Sequence, residues 1–530
     1  ALTQLDGDLI VVNEMENNGF GAGSAIKTLV DGFNASLGTP GRWSYVDPGI
    51  TYLGGDAIKV SILYRTDKLA IATGSTVQVL DDTDIPGLIT AKLLPTNFLA
   101  QSSMSAVFNG TNTSRAVLVT SFQQIGSAEA FTVAAIHNKS KSGTGTGLDA
   151  DQGDGAGNWN NQRLLATQAL DAFLKTNPTG INDPDKIIMG DFNSYAQELS
   201  MKNLTNSGYS NLIQDFIGND KAASYVFDGQ KGYLDAAFSS QSLKPYIRTV
   251  DEWRLNSPEA DGIDYNTDFG RPTNIFDGTM PNRYSDHDPV VVNLKLDPAV
   301  LLSRGGATVD VGDNIANLSL GAQAGDTITI RKPAGINDGP SATIKHSDVT
   351  IDAPGGYNGV FVLADGKTNL GSKGLGNITL NGNSGTNILT GNSGDNQFTG
   401  GAGDDTIDGG TGNDTASFSG SQGQYRFGVR DAALTISGPD GRDHLVNVEF
   451  VKFGTAAAIS IASLKSTTAD QGLVLVNRNG SDSYELPDLY TGPVAGLQNQ
   501  FLGSGQKEIV LGTDKADAIN ALGGDDAVDG

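Results

Sequence analysis

The sequence predicts two fold classes in succession, an α/β sandwich over residues 1–296 and an all-β solenoid or parallel β-roll over the rest of the 530 residues. Three observations support this division. Apolar strand-like runs alternate with helical stretches in the first part. After residue 297, short β-type segments follow one another, each ending in Gly, Asn or Asp. A nine-residue repeat then appears, which is typical of a parallel roll.

The predicted strands of the first part are short runs rich in β-branched residues, such as "DLIVVNEM", "AIKVSILY", "RAVLVTSF", "AFTVAAIH", "KIIMGDF" and "PVVVNL". The stretch "NWNNQRLLATQALDAFLKT" differs, because Leu165, Ala169 and Phe173 recur at the spacing of one helix face. Strands and helices in alternation predict an α/β fold with a layered core.

The repeat is strict over four consecutive nonapeptides, "GNSGTNILT", "GNSGDNQFT", "GGAGDDTID" and "GGTGNDTAS", which begin at Gly382. Glycines allow tight turns, the apolar eighth residue points inward, and a carboxylate at position six can reach Ca²⁺ between turns. Asp405 and Asp414 are therefore the strongest candidate calcium ligands. Asn387 and Asn396 occupy the same place in the earlier copies, and their neutral oxygens would bind calcium more weakly.

A second array begins with "GTDKADAIN" and "ALGGDDAVD", in which Asp517 and Asp526 stand at position six. We therefore expect five segments along the chain. They are the α/β domain at 1–296, a β-rich solenoid-like segment at 297–381, a calcium roll at 382–418, a second β-rich segment at 419–500, and the truncated start of the second array at 501–530.

The composition excludes several classes of protein. There is no cysteine, so neither a disulfide nor a thiolate metal site is available. The net charge is −25, and acidic residues outnumber basic ones in both halves. Because non-specific binding to nucleic acid depends on Lys and Arg, this charge argues against a standing affinity for polyanions. We find no apolar stretch long enough to span a membrane and no secretory leader at the start.

Polar clusters stand at the ends of strand-like runs in the first part. Glu14 follows "LIVVN", His137 follows "FTVAAI", and "GDFN" contains Asp191 and Asn193. The stretch "SDHDP", with Asp286 and His287, precedes the last run. Side chains at strand ends of an α/β sandwich can converge on one rim. Histidines, carboxylates and an Asn together predict a hydrated Mg²⁺ or Mn²⁺ site with acid and base groups beside it.

In this order, the clusters resemble the endonuclease/exonuclease/phosphatase superfamily, and more closely its bacterial extracellular nucleases. The resemblance covers nearly all of residues 1–296 and rests on the stretches "MENNGFG", "SRAVLVTSF", "HNKSKS", "GDFNSYAQE", "GYLDAAF" and "YSDHDPVVV". It implies a four-layer α/β sandwich, a metal-dependent endonuclease or phosphodiesterase, and a nucleic acid substrate, either DNA or RNA.

The resemblance also implies roles for individual residues. Glu14 would hold the metal ion, with Asp286 as the second metal-site residue beside His287. In the catalytic set, Arg115 and His137 would contact the phosphate. Asp191 and Asn193 would act at the scissile phosphate, and Asp235 would orient a histidine. Three residues stay open as the base that takes the proton from water: His137, Asp191 and His287.

Two departures from the family stand out. The superfamily has an earlier strand whose Asn supports the metal site, and the chain begins after the place where that strand should be. We therefore expect either upstream residues or an inactive domain. In addition, Ala236 occupies a position where the extracellular relatives often carry His.

The nonapeptides resemble the RTX family of calcium-binding β-rolls, and the segment from Tyr425 to Phe453 resembles the β segment that commonly follows them. The resemblance implies bound Ca²⁺ and export by a type I system to the extracellular space or cell surface. Two other functions remain open. One is a phosphodiesterase or phosphatase acting on small molecules or lipid head groups. The other is a calcium-dependent surface or matrix protein that self-assembles and carries a vestigial catalytic domain.

Overall fold

The chain forms two compact units, residues 1–297 and 298–530. The computed structural model describes residues 5, 7–127, 129–227, 230–254, 285–332, 336, 341–430, 433–467, 474–478, 481–485, 488–497, 499–503, 508–511, 517–520 and 527–529. Within this part of the chain, no helix has the length and apolar character needed to cross a lipid bilayer.

Two β-sheets form the centre of the first unit. The smaller sheet has the antiparallel order β1-β3-β2, built from Leu9–Glu16, Ile58–Arg65 and Trp43–Tyr45. Among the described strands, β3 alone pairs with β1, so the other edge of β1 has no described partner. The missing earlier strand stays a prediction.

The larger sheet has the order β4-β6-β7-β8-β12-β9, and β5 also pairs with β6. Strands β7 and β8 are parallel, whereas the other pairs are antiparallel. The strands are β4 (Leu69–Ile71), β5 (Gln78–Leu80), β6 (Val117–Gln124), β7 (Ala130–His137), β8 (Lys186–Asp191), β9 (Ser210–Asn211) and β12 (Asp235–Ser239). Two further antiparallel pairs are β10 (Tyr225–Phe227) with β11 (Gln230–Gly232), and β13 (Ile247–Glu252) with β14 (Val290–Leu294).

The two sheets pack face to face, with β1 and β3 against β6, β7 and β8. Buried side chains such as Val60, Ile62, Val133 and Ile187 fill the layer between them. Strand β7 is buried along its whole length, which explains why its sequence is mostly apolar rather than alternating. Burial of these side chains is the main stabilising contribution to the unit.

The helices of this unit are α1 (Ala25–Ser36), α2 (Ile85–Thr90), α3 (Asn160–Leu174), α4 (Leu199–Asn206) and α5 (Leu212–Phe216), with 3₁₀ turns at Leu99–Gln101, Gly147–Asp149 and Lys244–Tyr246. Helix α1 begins at Ser24, whose hydroxyl accepts from the Lys27 amide, and it packs on β1 and β2. Helix α3 is the helix that the apolar spacing predicts. Sheets with packed helices confirm the predicted α/β sandwich.

The second unit contains two long sheets, ordered β16-β15-β17-β19-β21-β23-β25-β29-β28-β27 and β18-β20-β22-β24-β26-β30-β31. Helices α6 (Ile315–Leu320) and α7 (Ile461–Thr467) and a 3₁₀ turn at Gln422–Gln424 accompany them. The strands are β15 (Val300–Arg304), β16 (Ala307–Gly312), β17 (Thr327–Ile330), β18 (Ser341–Ile344), β19 (Val349–Ala353), β20 (Val360–Leu363), β21 (Asn369–Gly374), β22 (Thr379–Asn381), β23 (Ile388–Thr390), β24 (Gln397–Thr399), β25 (Thr406–Asp408), β26 (Thr415–Phe418), β27 (Arg426–Arg430), β28 (Ala433–Gly438), β29 (Gly441–Val446), β30 (Phe450–Phe453) and β31 (Ile459–Ser460).

Successive strands of the repeat alternate between the two sheets and pair in parallel with the strand two repeats away. Leu389 pairs with Ile407 in one sheet, and Leu380 pairs with Phe398 in the other. One turn of the roll therefore consumes two nonapeptides, and the apolar eighth residues stack in buried columns. The pairing begins before the repeats, at β17 and β19, so part of the segment 297–381 belongs to the same roll. The predicted parallel β-roll is confirmed.

The last described strands form two small sheets, ordered β33-β32-β36-β38 and β34-β35-β37. They are β32 (Val474–Arg478), β33 (Ser481–Glu485), β34 (Asp488–Leu489), β35 (Asn499–Leu502), β36 (Glu508–Leu511), β37 (Asp517–Asn520) and β38 (Ala527–Asp529).

Candidate active site and calcium-binding turns

Strand register brings three predicted site residues together at one end of the larger sheet of the first unit. His137 ends β7 and pairs with Asp191, which ends β8, and Asp191 pairs in turn with Asp235 at the start of β12. The imidazole Nε2 of His137 lies 3.4 Å from Asp191 Oδ2. Residues far apart in the sequence thus become neighbours because the ends of β7 and β8 and the start of β12 lie in register.

A tight turn after β8 holds the carboxylate of Asp191. The backbone amide of Asn193 donates to Oδ1 at 2.6 Å, and its side-chain Nδ2 donates to Oδ2 at 2.7 Å. The same Nδ2 also donates to the Asn138 carbonyl at 3.0 Å. Asn193 has a φ of +49°, a left-handed conformation that Asn tolerates better than most residues. This turn explains why Asn follows the aspartate by two positions.

His287 forms a hydrogen-bonded pair with Asp235, at 2.6 Å between Nδ1 and Oδ2. Ser224 donates to the same carboxylate oxygen at 3.0 Å, and the Tyr225 ring lies 4.8 Å from the imidazole ring. A histidine that donates through Nδ1 directs Nε2 to the other side of the ring. Asp286 Oδ2 lies 4.0 Å from that Nε2.

The electrostatics of the cluster separate the roles of its members. Burial pushes the pKa of Asp191 upward, but the hydrogen bond with His137 and the charges of the two histidines outweigh it and hold that pKa below its usual value. Burial raises the pKa of Asp235 despite the attraction of His287. Burial alone would lower the pKa of His287, but the charge and hydrogen bond of Asp235 raise it to about 10. Without a cation nearby, His287 is therefore an imidazolium at neutral pH.

The donor set fits a divalent cation. Asp191, Asp235 and His287 each offer one ligand atom, and within the described part of the chain these atoms lie within 4.8 Å of one another. Glu14 lies at the edge of this cluster, with Oε1 4.0 Å from His137 Nε2 and a side chain that is 67% exposed. Its φ is +60° at a bulge in β1, and this rare conformation belongs to the class that proteins retain at functional sites. The metal-binding roles of Glu14 and Asp286 stay predictions.

The motifs alone did not single out several polar residues at this rim. In the amide orientation that satisfies both of its polar atoms, Asn13 accepts from the Asp191 amide at 2.8 Å and donates to the Ile136 carbonyl at 3.3 Å. The side-chain amide of Asn138 and His137 Nδ1 are buried without a hydrogen-bond partner among the described residues. In the sequence, Asn13 directly precedes Glu14 and Asn138 directly follows His137, and this adjacency was the available signal. No sequence pattern marks Ser224.

Two cations lie beside the cluster. Arg115 donates to the Asn138 carbonyl at 3.2 Å, the same oxygen that accepts from Asn193, and it pairs with Asp56 at 3.0 Å. Lys139 is only 7% exposed; burial, with Arg115 and Arg163 nearby, lowers its pKa to about 8. Both line a cavity of about 280 Å³ together with the loops 55–57 and 110–113. Basic residues in "HNKSKS" were the sequence signal for Lys139.

The turns of the roll fit calcium at the predicted aspartates. Asp405 Oδ1 accepts from the Asn387 amide at 2.8 Å, and Asp414 Oδ1 accepts from the Asn396 amide at 2.7 Å. The second oxygen of each carboxylate is buried without a hydrogen-bond partner in the described structure. Burial raises the pKa of Asp405 to about 6 and that of Asp414 to about 7. A calcium ion would satisfy these oxygens and stabilise their charged form.

The turns that carry Asn387 and Asn396 differ from the aspartate turns, because the side-chain amides of these two asparagines are already hydrogen bonded. Asn396 accepts from the Asn392 amide at 2.8 Å and donates to Asn392 Oδ1 at 3.1 Å. Asn387 makes the equivalent contacts with Asn383. The role of Asn396 as a ligand stays a prediction. In the second array, the backbone of Asp517 begins β37 while its side chain, like the whole of Asp526, lies outside the described residues.

Comparison with known proteins gives two findings. The family model for the RTX calcium-binding nonapeptide repeat, in four copies, matches residues 381–416 and 502–530. No curated protein matches the chain.

Among solved structures, the chain is similar to an endonuclease/exonuclease/phosphatase from Bacteroides vulgatus, with 12% identity, 56% of this chain and 87% of that chain covered, and a TM-score of 0.34. It is also similar to a mannosyl-6-phosphatase from Bacteroides thetaiotaomicron, with 15% identity, 56% and 89% covered, and a TM-score of 0.32. A third is the human Nocturnin catalytic domain, with 12% identity, 46% and 71% covered, and a TM-score of 0.28. The chain carries RTX calcium-binding repeats in its second unit.

Proposed function

We propose that the first unit is a metal-dependent phosphodiester hydrolase whose substrate is nucleic acid, DNA or RNA. The observation that carries the proposal is the His287–Asp235 pair, hydrogen bonded at 2.6 Å and placed beside Asp191. An imidazole held by a carboxylate is a group suited to proton transfer.

In this proposal, proton transfer and cation binding are carried out by different residues. Because His287 Nδ1 and one oxygen of Asp235 are committed to each other, we assign this pair to proton transfer and the cation to Asp191 and Glu14. A bound Mg²⁺ or Mn²⁺ would neutralise phosphate charge. Asp286 lies beside Nε2 of His287 and completes this edge.

The reaction is attack of water on phosphorus. A bond forms between the water oxygen and phosphorus, the P–O ester bond breaks, and the leaving oxygen takes a proton from charged His287. The proton of the attacking water goes to His137, whose Nε2 lies 3.4 Å from Asp191 Oδ2 at the same rim. Asn193 holds the Asp191 carboxylate in place, and its amide adds a donor near the phosphate.

Arg115 and Lys139 supply positive charge beside the cluster, although the chain as a whole is acidic. Their shared cavity adjoins the cluster through the Asn138 carbonyl, so phosphate oxygens of the substrate can be held there while the ester lies beside Asp191. Charge-assisted hydrogen bonds of this kind are stronger than neutral ones.

The test is cleavage of supercoiled plasmid by the full chain in Ca²⁺ with Mg²⁺ or Mn²⁺. His137→Ala and His287→Ala should each abolish nicking, as should a chelator. His346→Ala changes a histidine of the second unit and should leave the rate unchanged. Nicking that survives both site variants would refute the proposal.

A small phosphodiester is the second candidate substrate, and the net charge of −25 favours it because a polyanion is repelled over most of the surface. Hydrolysis of bis-p-nitrophenyl phosphate without plasmid nicking would select it. Activity in neither assay would favour a calcium-dependent surface or matrix protein, which ordered assembly in Ca²⁺ that is unchanged by His137→Ala would support.

We also propose that the calcium repeats serve secretion and folding, and that the protein acts outside the cell or at its surface after type I export. The supporting observation is the set of buried carboxylate oxygens that need calcium, which is scarce inside cells and abundant outside them. Antibody detection of the protein in medium or on intact cells tests the location, and recovery only from lysed cells would contradict it.

A further inference from the structure

The turn at 438–443 has the sequence form of a repeat, although it lies beyond the residues 381–416 that the repeat model matches in this part of the chain. "GPDGRDHLV" starts at Gly438 and has Gly441 at position four, Asp443 at position six and Leu445 at position eight. Only the second glycine of the pattern is replaced, by proline. The antiparallel strands β27 and β28 separate this nonapeptide from the last one before it.

The structure places this nonapeptide in the roll as the next turn. Strand β29 pairs in parallel with β25, so that Leu445 lies opposite Ile407 and continues the same buried column. Gly441 has a φ of +127°, and a Cβ there would lie 2.0 Å from the Gly403 carbonyl oxygen. Gly403 and Gly412, at position four of their own turns, have φ values of +108° and +137°, and a Cβ there would lie 2.8 Å and 2.5 Å from the backbone of the preceding turn. Position four therefore requires glycine in this turn too.

The side chain at position six also continues the pattern. In the matched turns, Asp405 Oδ1 accepts from the backbone amide of Asn387, one full turn earlier. Asp443 Oδ1 accepts from the backbone amide of Asp405 at 3.0 Å in the same way. Asn387, Asp405 and Asp443 are thus three successive members of one ladder, and its last two members are carboxylates.

An unsatisfied oxygen lies in the first of these two turns. Asp405 is 2% exposed and its Oδ2 has no hydrogen-bond partner in the described structure. That oxygen lies against Gly400, where an added Cβ would approach it to 2.1 Å. Gly400 and Asp443, which is also 2% exposed, line one cavity of about 280 Å³ with Gly401, Phe418, Ser419 and Asp440. A buried carboxylate oxygen without a hydrogen-bond partner requires a cation or a proton.

We infer that a calcium ion binds between the turns 400–405 and 438–443, with Asp405 and Asp443 as its charged ligands. Oxygen donors from two adjacent turns and two negative charges suit this hard divalent cation. The site lies at the last turn on one edge of the roll, and one of its ligands, Asp443, is outside the matched repeats. It does not depend on the reaction proposed for the first unit.

The opposite edge closes differently. There Asp414 is the last aspartate of the repeats. Its backbone amide donates at 2.9 Å to Oε2 of Glu449, which belongs to a shorter turn. This contact extends the ladder of Asn396 and Asp414, but the turn lacks the glycine pattern. The inference is therefore restricted to the edge that carries Asp443.

Calcium titration of the decalcified full chain by isothermal calorimetry tests the site. Asp443→Asn should remove one calcium ion from the stoichiometry or weaken one site by about 10-fold or more. Asp365→Asn removes an exposed carboxylate of the same unit and should leave the titration unchanged. The double variant Asp405→Asn/Asp443→Asn should lose no more ions than Asp405→Asn alone, because both residues serve one ion.

Folding is monitored separately by thermal unfolding in chelator. In chelator, Asp443→Asn should unfold at the wild-type temperature or above it, since the variant lacks a buried charge. Added calcium should raise its unfolding temperature by less than it raises that of wild type. If Asp443→Asn does not fold, Asp443→Glu keeps the charge and should weaken the affinity for one calcium ion by a comparable factor. A full calcium stoichiometry with unchanged affinities in either folded variant would overturn the inference.

Discussion

The Asp235–His287 hydrogen bond joins residues 52 positions apart, and the second residue depends on the first for its charge state. Asp235→Asn keeps the shape of the side chain and removes the negative charge. We expect the rate of phosphodiester hydrolysis to fall by about 10²- to 10⁴-fold, the range that general acid–base groups contribute. We also expect the alkaline limb of the pH–rate profile to move to lower pH, because the pKa of His287 falls.

Asp220→Asn provides the matched control, since it neutralises an exposed aspartate of the same unit. A wild-type rate and pH profile in Asp235→Asn would show that the pair has no role in proton transfer.

Asp185 provides a test of electrostatics outside the site. Burial raises its pKa to about 6, against an opposing hydrogen bond from Ser242. The folded state therefore binds this proton more tightly than the unfolded state, whose value is about 3.9, and the stability that depends on it falls as pH rises from about 4 to 6. Asp185→Asn should be more stable than wild type at pH 7, by about 2 to 3 kcal/mol, and equal to it near pH 4.

Urea unfolding followed by tryptophan fluorescence measures this difference, because all three tryptophans, Trp43, Trp159 and Trp253, lie in the first unit. A difference between variant and wild type that does not change with pH would contradict the assignment.

At the scale of elements, the close approach of β7 and β8 depends on one glycine. Gly190 has a φ of +142°, and a Cβ there would lie 2.0 Å from the Ile136 carbonyl oxygen. Gly190→Ala should lower the free energy of unfolding by about 2 to 3 kcal/mol, because both the conformation and the contact are lost. It should also lower activity, since Asp191 is the next residue.

Gly87→Ala is the control for this substitution. Gly87 lies in α2 with open space around its Cα, so alanine there should be neutral or stabilise by up to about 1 kcal/mol. Equal urea midpoints for the two alanine variants would contradict the packing argument.

At the scale of the whole molecule, the candidate calcium ligands lie in the second unit. Saturating calcium should therefore raise the unfolding temperature seen by far-ultraviolet circular dichroism, with a stabilisation of about 2.7 kcal/mol at a hundredfold excess over the dissociation constant. The tryptophan transition, which reports the first unit, should move little. An equal calcium shift in both signals would contradict separate responses of the two units.

Local patterns in the sequence determined much of this protein. The nine-residue period predicted a parallel roll, because glycines set the turns and the eighth residue sets the buried column; the strand pairing then showed that one turn consumes two repeats. Apolar runs predicted the strands that end at His137 and Asp191, and the spacing of Leu165, Ala169 and Phe173 predicted α3. Such patterns are readable because side-chain periodicity is a property of a few neighbouring residues.

Only the tertiary structure decided which strand ends meet. The register of β7, β8 and β12 places Asp235 beside Asp191, and long-range packing brings His287 to Asp235. The same holds for Asp443, which rejoins the roll only after the chain has folded through β27 and β28. These contacts depend on loop closure and on packing between distant segments, and no local pattern encodes either.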